Sequence, residues 1–260
     1  MLKAFYTSAT GMRAQELLID NTANNLANVN TTGFKRSHME FADLMYDATT
    51  LPGSPIANGQ NSPIGIQIGN GVRPIGTTNV FTQGVPFETG VRTHMAIEGD
   101  GFFKVTMPNG GVGYSRDGSF TRNATGQMVN GDGRPLDPAI TIPPTAEKVI
   151  ISNTGQVSYE QDGTITQVGN IQLFRFANPA GLRNNGGNIY LATDASGPEV
   201  AGNPGEFGYG FLRQGALEGS NVEVVSEMVS LITAQRAYEI NSRAIRAGDE
   251  MLSNTSQIVR

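Results

Sequence analysis

Apolar residues recur at every seventh position near both ends of the chain. Near the start they are Leu2 and then the row Phe5, Met12, Ile19 and Leu26, with Glu16 as the one exception on this seam. Near the end they are Val224, Leu231, Tyr238, Ile245 and Leu252. A seven-residue period keeps one stripe of a helix facing a partner along its whole length. The pattern therefore predicts two helices that pair with each other and then with neighbouring copies, as in a subunit of an assembly.

Both predicted helices have recognisable ends. The first runs from about Leu2 to about Asn28 and stops before Gly33, which can adopt positive φ. The second is predicted to begin at a capping box formed by Ser220 and Glu223, and no proline follows. Beside its apolar row it carries residues that permit close approach but bury little area: Ala234, Asn241 and Gly248. Contacts with neighbouring copies would make up that deficit.

Residues 51–71 differ from both helices because proline and glycine interrupt them repeatedly. Near their end, Ile64, Ile66 and Ile68 alternate with other residues, which is the period of a β-strand. A solvated loop has little reason to carry three isoleucines on one face. We therefore expect an extended arm or long hairpin that becomes ordered on assembly, and a disordered surface loop is the alternative.

The middle of the chain, from about residue 80 to 190, consists of short alternating segments separated by turn signals. Residues 96–105 read as a strand, a glycine-rich turn and another strand. Three Asp-Gly pairs, at 117–118, 132–133 and 162–163, are typical of β-hairpin turns. This region is predicted to be a compact antiparallel β domain.

The predicted fold class is α+β, with terminal helices that form a coiled-coil-like domain, an extended arm and a central antiparallel β domain. The predicted segments are an N-terminal helix at 1–30, a linker with the arm or hairpin at 31–95, the β domain at 96–194, a return linker at 195–219 and a C-terminal helix at 220–260.

Composition excludes several classes of protein. The formal net charge of −5 argues against nucleic acid or an anionic membrane as the main partner. The absence of cysteine excludes disulfides and a thiolate nucleophile or ligand. The sequence contains no run of about 18 apolar residues, so no transmembrane helix is predicted. The first residues lack the layout of a cleaved signal peptide, so work outside the cytoplasm would require another export route.

Candidate catalytic groups are few. The two histidines, His38 and His94, have neither triad nor metal-site spacing. Glu98 and Asp100 flank a glycine and are more simply a polar turn than an acid–base pair. We therefore expect no catalytic residue, no metal and no cofactor. Two other classes remain open at this stage: a stalked β-domain binding module or fibre protein, and an enzyme that uses carboxylates of the β domain.

Residues 23–36, with spaced asparagines followed by Thr-x-Gly-Phe-Lys, resemble the N-terminal signature of the flagellar rod and hook proteins. Residues 218–222 and 233–239 resemble the other end of the same family. Residues 97–103 and 114–120 are similar to its central segments. The resemblance covers essentially the whole chain, and its length and arm are most similar to the distal rod members, with proximal rod and hook members as alternatives.

The resemblance implies a structural subunit of a rigid helical tube that transmits torque from motor to hook. Its terminal helices would pack into an inner tube, with the β domain outside and the arm bridging the two layers. The implied partners are further copies of the chain, proximal rod subunits, hook protein, the surrounding P- and L-ring proteins, the flagellar type III export apparatus and a rod cap. The implied location is the rod of the basal body, which spans the periplasm.

Family-motif residues are predicted to shape the exit from the first helix. Asn25, Asn28 and Gly33 would form that exit, and Phe34 would anchor it. Thr32 and Lys35 belong to the same motif.

Overall fold

The computed structural model of the protein describes residues 2–53 and 63–258. The side chains of Leu2 and of residues 255–258 lie outside the described part, as does the portion of the predicted arm at 54–62. Helix α1 spans Leu2–Ala27 and helix α2 spans Val224–Ile258. Short strands and one 3-10 turn, Pro179–Gly181, lie between them. The α+β class with a helix near each end is therefore confirmed.

All strand pairs whose register is described are antiparallel. The strands before residue 100 are β1 Ser37–Asp43, β2 Tyr46–Thr50, β3 Ile66–Gly69, β4 Val72–Asn79, β5 Pro86–Glu88 and β6 Met95–Glu98. Those from 100 to 160 are β7 Phe103–Thr106, β8 Val112–Ser115, β9 Thr121–Arg122, β10 Met128–Val129, β11 Leu136–Asp137, β12 Lys148–Ile151 and β13 Gln156–Gln161. The remainder are β14 Thr164–Asn170, β15 Leu173–Arg175, β16 Arg183–Asn184, β17 Ile189–Leu191, β18 Val200–Gly202, β19 Phe211–Gln214 and β20 Ala216–Glu218.

The chain divides into two compact units that do not follow the order of the sequence. The helical unit comprises Met1–Leu26, Ser37–Thr78 and Val224–Arg260. The β unit comprises Ala27–Arg36 and Asn79–Glu223. The last residue of α1, Ala27, and the nine residues after it thus belong to the β unit, although the rest of the helix does not.

Within the helical unit, α1 and α2 contact each other in an antiparallel register. A Cβ atom built on Gly11 would lie 3.0 Å from Asn241 Nδ2, and Asn25 Nδ2 donates to Glu227 Oε2 at 3.2 Å. Residue numbers rise by fourteen from Gly11 to Asn25 and fall by fourteen from Asn241 to Glu227. The two contacts therefore fix one constant register along both helices.

The start of α2 differs from the predicted capping box. The helix begins at Val224, and Ser220 Oγ accepts a hydrogen bond from Val222 N at 3.3 Å. In the predicted box, Ser220 would have accepted from the amide of Glu223. The capping-box prediction is wrong because residues 219–223 are held in extended connections to the β unit before the helix starts.

Two small sheets complete the helical unit. β1 pairs with β4, and β2 pairs with β3 as a hairpin with a register shift between Ala48 and Thr50. Gly71 closes this region onto α1: its φ is 112°, and a Cβ there would lie 2.2 Å from Thr10 Oγ1. Gly71 O also accepts from Leu44 N at 2.8 Å. A residue with a side chain would therefore be strained and would clash at this position.

The β unit contains the main hydrophobic core. A five-stranded sheet runs in the order β11-β7-β8-β17-β16, and a three-stranded sheet runs in the order β12-β13-β14. The first core cluster is aliphatic and aromatic, and its fully buried members include Met95, Ile97, Phe103, Phe120, Ile142 and Leu173. A second cluster is aromatic and contains Phe102, Tyr114, Phe174, Phe176 and Tyr190, with several rings packed edge to face.

The three Asp-Gly predictions have different outcomes. Asp162 and Gly163 have φ values of 50° and 74° and join β13 to β14, so this hairpin is confirmed. Gly133 has φ 78° in a turn closed by its amide and the Asn130 carbonyl. The hairpin at Asp117-Gly118 is wrong. Gly118 is needed there for close approach, since a Cβ on it would lie 1.6 Å from Met95 O.

Candidate assembly site

The family motif after α1 folds into a turn that requires glycine. Gly33 has φ 68°, and a Cβ atom on it would lie 2.6 Å from Asp117 N. Its amide donates to Glu218 O at 2.8 Å. No residue with a side chain fits this conformation and this gap at once. The predicted role of Gly33 at the exit from the helix therefore has a direct physical basis.

Neighbouring motif residues tie the same turn to the β unit. Thr32 Oγ1 donates to Asp117 Oδ1 at 2.9 Å, and Thr32 O accepts from Asn188 Nδ2 at 3.0 Å. Asn28 Oδ1 accepts from Thr31 Oγ1 at 3.1 Å, which closes the first bend after the helix. Phe34 is half-buried in the turn.

Lys35 is the least expected member of the motif because its side chain is fully buried. Lys35 Nζ pairs with Glu218 Oε1 at 2.5 Å and donates to Thr82 O at 2.7 Å. Both partners of the ion pair have 0% side-chain exposure. Glu218 Oε1 also accepts from Gly84 N at 3.0 Å. The pair therefore joins the motif to the residues that lead into α2.

Arg116 adds a second cation to this cluster. Its Nη1 lies 3.4 Å from Glu218 Oε2 and donates to Gly99 O at 2.8 Å, while the guanidinium stacks 5.3 Å from the centre of the Phe102 ring. Burial lowers the pKa of Lys35, and the Glu218 carboxylate opposes that shift. Burial likewise lowers the pKa of Arg116 against the pull of Glu218 and Asp100. One carboxylate thus holds two buried cations.

Asn221 fastens the motif from the other side. Its Oδ1 accepts from Arg36 N at 2.7 Å, and its Nδ2 donates to Val80 O at 2.7 Å and to Thr82 Oγ1 at 2.9 Å. Every polar atom of this side chain is therefore used. The segments at 33–36, 80–84 and 218–221 form one hydrogen-bonded junction.

Asn25 makes a similar set of hydrogen bonds inside the helical unit. Its Nδ2 donates to Ser37 O at 2.9 Å and to Glu227 Oε2, and its Oδ1 accepts from Ser37 N at 3.0 Å. Asn21 also donates to Ser37 O, at 2.8 Å. Because Asn25 and Glu227 are both buried, this contact fixes the helix register at the end where the two helices join the rest of the chain.

The closest approach of the helices follows their small and polar residues. On α2 the most buried positions are Glu227, Ala234 and Gly248, with half-buried Asn241 in the same seven-residue row. A Cβ on Gly248 would lie 2.8 Å from the Phe5 ring. Most predicted seam residues are half-buried: Phe5, Met12, Ile19, Leu26, Leu231 and Ile245. Val224, Tyr238 and Leu252 are more exposed.

The predicted arm residues lie in or next to the hairpin formed by β2 and β3. Ile66 and Ile68 are in β3, opposite Thr50 and Asp47, and both are about half exposed. Ile64 precedes the strand and is more exposed than either. Two alternate residues of one strand share a face, so Ile66 and Ile68 form a short apolar stripe on a two-stranded ribbon.

The described ranges have neither the side-chain grouping of a metal site nor a membrane-spanning helix. Residues 2–53 and 63–258 contain no group of three or more His, Cys, Asp or Glu side chains that could hold a metal ion. His94 Nδ1 is hydrogen-bonded to Thr89 Oγ1 at 2.9 Å, within a loop. Across the same ranges, no helix has the length and apolarity needed to cross a membrane.

Comparison with known proteins decides the family. Three family models match the chain: a flagella basal body rod protein model at residues 5–35, a flagellar hook protein FlgE/F/G D1 domain model at 96–159 and a flagellar basal body rod FlgEFG protein C-terminal model at 213–258. The flagellar basal-body rod protein FlgG of Borreliella burgdorferi is 44% identical over 264 residues, covering 100% of both chains. The chain belongs to the flagellar basal-body rod protein family.

Other family members match at similar length. FlgG of Agrobacterium fabrum is 44% identical over 98% of this chain and 99% of its own. FlgG of Bacillus subtilis is 35% identical over 100% of both chains, and FlhP of the same organism, a flagellar hook-basal body complex protein, is 30% identical over 97% of both. The resemblance seen in the motifs is thereby confirmed over the whole length.

Sequence reasoning missed the partners of the motif. It identified Lys35 but not the burial of its side chain, and it gave no role to Glu218, Arg116, Asn221 or Glu227. The available signals were the family-like segments at 114–120 and 218–222, which contain three of these four residues. Nothing in the local sequence shows that these segments meet residues 33–36.

Proposed function

We propose that this chain is the structural subunit of the flagellar distal rod, which polymerises into a rigid helical tube and transmits torque from motor to hook. The observation that carries the proposal is full-length similarity to rod proteins at 42–44% identity. The protein is an axial structural component of the flagellar basal body and not an enzyme.

The polymer would be built by the terminal helices. Each subunit makes contacts that do not close into a ring, and repeated use of one such contact gives an open helical tube. The coiled-coil-like pair of α1 and α2 forms the inner layer, with Leu26, Leu231 and Ile245 on its seam. The partly exposed state of many apolar residues on α2 supports this role, because contacts between copies would cover them.

The remaining partners follow from position in such a rod. Proximal rod subunits lie at one end and hook protein at the other, and the P- and L-ring proteins surround the β units. The subunit reaches the periplasm through the flagellar type III export apparatus and is placed beneath a rod cap.

Replacing Leu231 with Asp tests the helical seam. The half-buried Leu231 would become a charge without a partner in an apolar contact, at a cost of several kcal/mol. Cells that depend on this chain for their rods should lack complete rods in electron micrographs when they carry Leu231→Asp. The matched variant Leu231→Met keeps the volume and should assemble. Normal motility in the Asp variant would refute the role of this seam.

We further propose that the arm braces neighbouring subunits and keeps the tube straight. An isolated two-stranded ribbon is marginal in water, yet β2 and β3 carry the apolar stripe of Ile66 and Ile68 on one face. Ile64 would extend that contact. Shortening the arm between β2 and β3 should give rods that are bent or altered in length. If straightness, length and stiffness in micrographs are unchanged, the arm has no bracing role.

A further inference from the structure

Helix α2 has a second apolar stripe on the face opposite to α1. The residues that face α1 are Glu227, Ala234 and Asn241, as the contacts of the helix pair show. On the opposite side of α2, three apolar residues at the spacing i, i+4, i+7 are 49–69% exposed: Val225, Val229 and Ile232. Exposed Arg236 continues the same row, and Ile240, 65% exposed, follows one turn later.

Helix α1 has a groove along the edge of its contact with α2. The groove has a volume of about 440 Å³ and is lined by Ala9, Met12, Arg13, Glu16, Leu17, Asp20 and, from α2, Tyr238. Glu16 and Asp20 are exposed and one helical turn apart, and neither forms an ion pair within the described ranges. The groove thus offers an apolar floor with two carboxylates and one cation, Arg13, on its rim.

The register of the helix pair determines which residues would meet. In a polymer built by repeating one heterologous contact, every copy points the same way. The α2 helix of one copy is then antiparallel to the α1 helix of the next, as it is within a single chain. If it lies level with the resident α2 helix, Arg236 falls opposite Glu16 and one turn from Asp20, while Ile240 falls opposite Met12.

We propose that the outer stripe of α2 docks in the α1 groove of a second copy, with Arg236 between Glu16 and Asp20 and Ile240 over Met12. The proposal rests on the proposed polymerisation and names the surfaces that carry it. Charge complementarity supports a second copy as the occupant, because the stripe supplies Arg236 among aliphatic residues and the groove carries two carboxylates against one cation, Arg13. Glu16, the exception on the N-terminal seam, then becomes a contact for the neighbouring copy.

A charge-swap series tests this contact in cells that depend on the full chain for their rods. Glu16→Arg places two cations together, and Arg236→Glu places carboxylates together, so each should reduce complete rods about tenfold or more. The double variant Glu16→Arg with Arg236→Glu should restore them. Glu147→Arg, a charge reversal on an exposed residue of the β unit, should leave rod number unchanged. Circular dichroism of each purified chain shows whether it still folds.

The outcomes separate the contact from the polymer. Rods of normal number in both single variants overturn the proposed contact, and so does failure of the double variant to recover while all chains fold. If the wild-type chain itself forms no rods, the proposed function fails instead.

Crosslinking identifies the occupant of the groove directly. The chain has no cysteine, so Met12→Cys combined with Ile240→Cys introduces the only two thiols. Ile240 is exposed on the side of α2 away from α1, and Met12 lines the groove of α1, so mild oxidation of assembled rods should give a ladder of covalent multimers. Each single cysteine variant should give no ladder. Monomers alone in the double variant, or a covalent product with another protein, would show that the groove does not hold a second copy at this register.

Discussion

The Lys35–Glu218–Arg116 cluster concentrates charge where water is excluded. The Glu218 carboxylate accepts from Lys35 Nζ, Arg116 Nη1 and Gly84 N, so both of its oxygens are used. Charges removed from water are tolerated when geometry and hydrogen bonding compensate their desolvation. Removal of Glu218 would leave both buried cations without their counter-ion. The cluster therefore joins the segments at Lys35, Arg116 and Glu218 through buried charges as well as through hydrogen bonds.

Glu218→Gln should destabilise the β unit by about 3–5 kcal/mol, because it leaves two buried cations without their counter-ion. The measurement is urea unfolding followed by near-ultraviolet circular dichroism of the tyrosines. Glu223→Gln removes the same charge at an exposed position and should change the free energy of unfolding little. Equal stability of the two variants would mean that the buried carboxylate contributes nothing beyond its volume.

At the scale of elements, the close approach of α1 and α2 depends on the absence of bulky side chains from the residues where the two helices touch. Gly11 and Asn241 allow α1 and α2 to approach closely, and bulky side chains stand to either side. Such a contact gains from dispersion and from the Asn25–Glu227 hydrogen bond more than from buried area. Size at the contact row, not hydrophobicity, should therefore set the stability of the pair.

Gly11→Leu should separate the helices, since even its Cβ would lie 3.0 Å from Asn241 Nδ2. Overpacking of this kind costs about 1–3 kcal/mol. Gly11→Ala should be nearly neutral, because the higher helix propensity of alanine, about 1 kcal/mol, offsets a tight contact with a flexible amide. Ala23→Leu adds a leucine to the exposed face and serves as the control. Thermal unfolding followed at a helical wavelength ranks the three; a Gly11→Leu chain as stable as wild type would contradict this register.

Sequence pattern predicted the elements better than their partners. The first helix ends at Ala27, one residue from its predicted end, because the glycine turn and its polar residues act locally. The Asp162-Gly163 hairpin is equally local. The hairpin predicted at Asp117-Gly118 was wrong because glycine is needed there to leave room for the Met95 carbonyl oxygen. Met95 is more than twenty residues away in the sequence, so the local pattern does not show this contact. Lys35 and Glu218 are 183 residues apart, and no periodicity links them.

At the scale of the whole molecule, burial is distributed unevenly. The large apolar core clusters lie in the β unit, whereas among the described side chains of the two helices only Ala14 and Ala234 are buried apolar residues. Long helices with little tertiary burial gain little from packing and open readily. In a single chain the helices should therefore be the least stable elements, and in a polymer they would gain most from neighbours.

Hydrogen exchange in dilute solution should show this difference. Amides of residues 2–27 and 224–258 should exchange much faster than those of the β core, and should become protected when the chain is assembled into rods. Sequence-resolved mass spectrometry measures both states. Strong protection of both helices in dilute chains would indicate that they already have all their partners, and a stalked binding module would then explain the fold better.

Helices α1 and α2 are about 200 residues apart in the sequence, so a truncated polypeptide cannot form the helix pair. A polypeptide that stops before residue 224 retains the sequence of the β unit but leaves α1 without the helix that contacts it. At the growing end of the proposed polymer, such a fragment would supply only one of the two helices and would dissociate faster than an intact copy. If the proposed polymer is held together by both helices, it would therefore favour copies that carry their last helix over truncated ones.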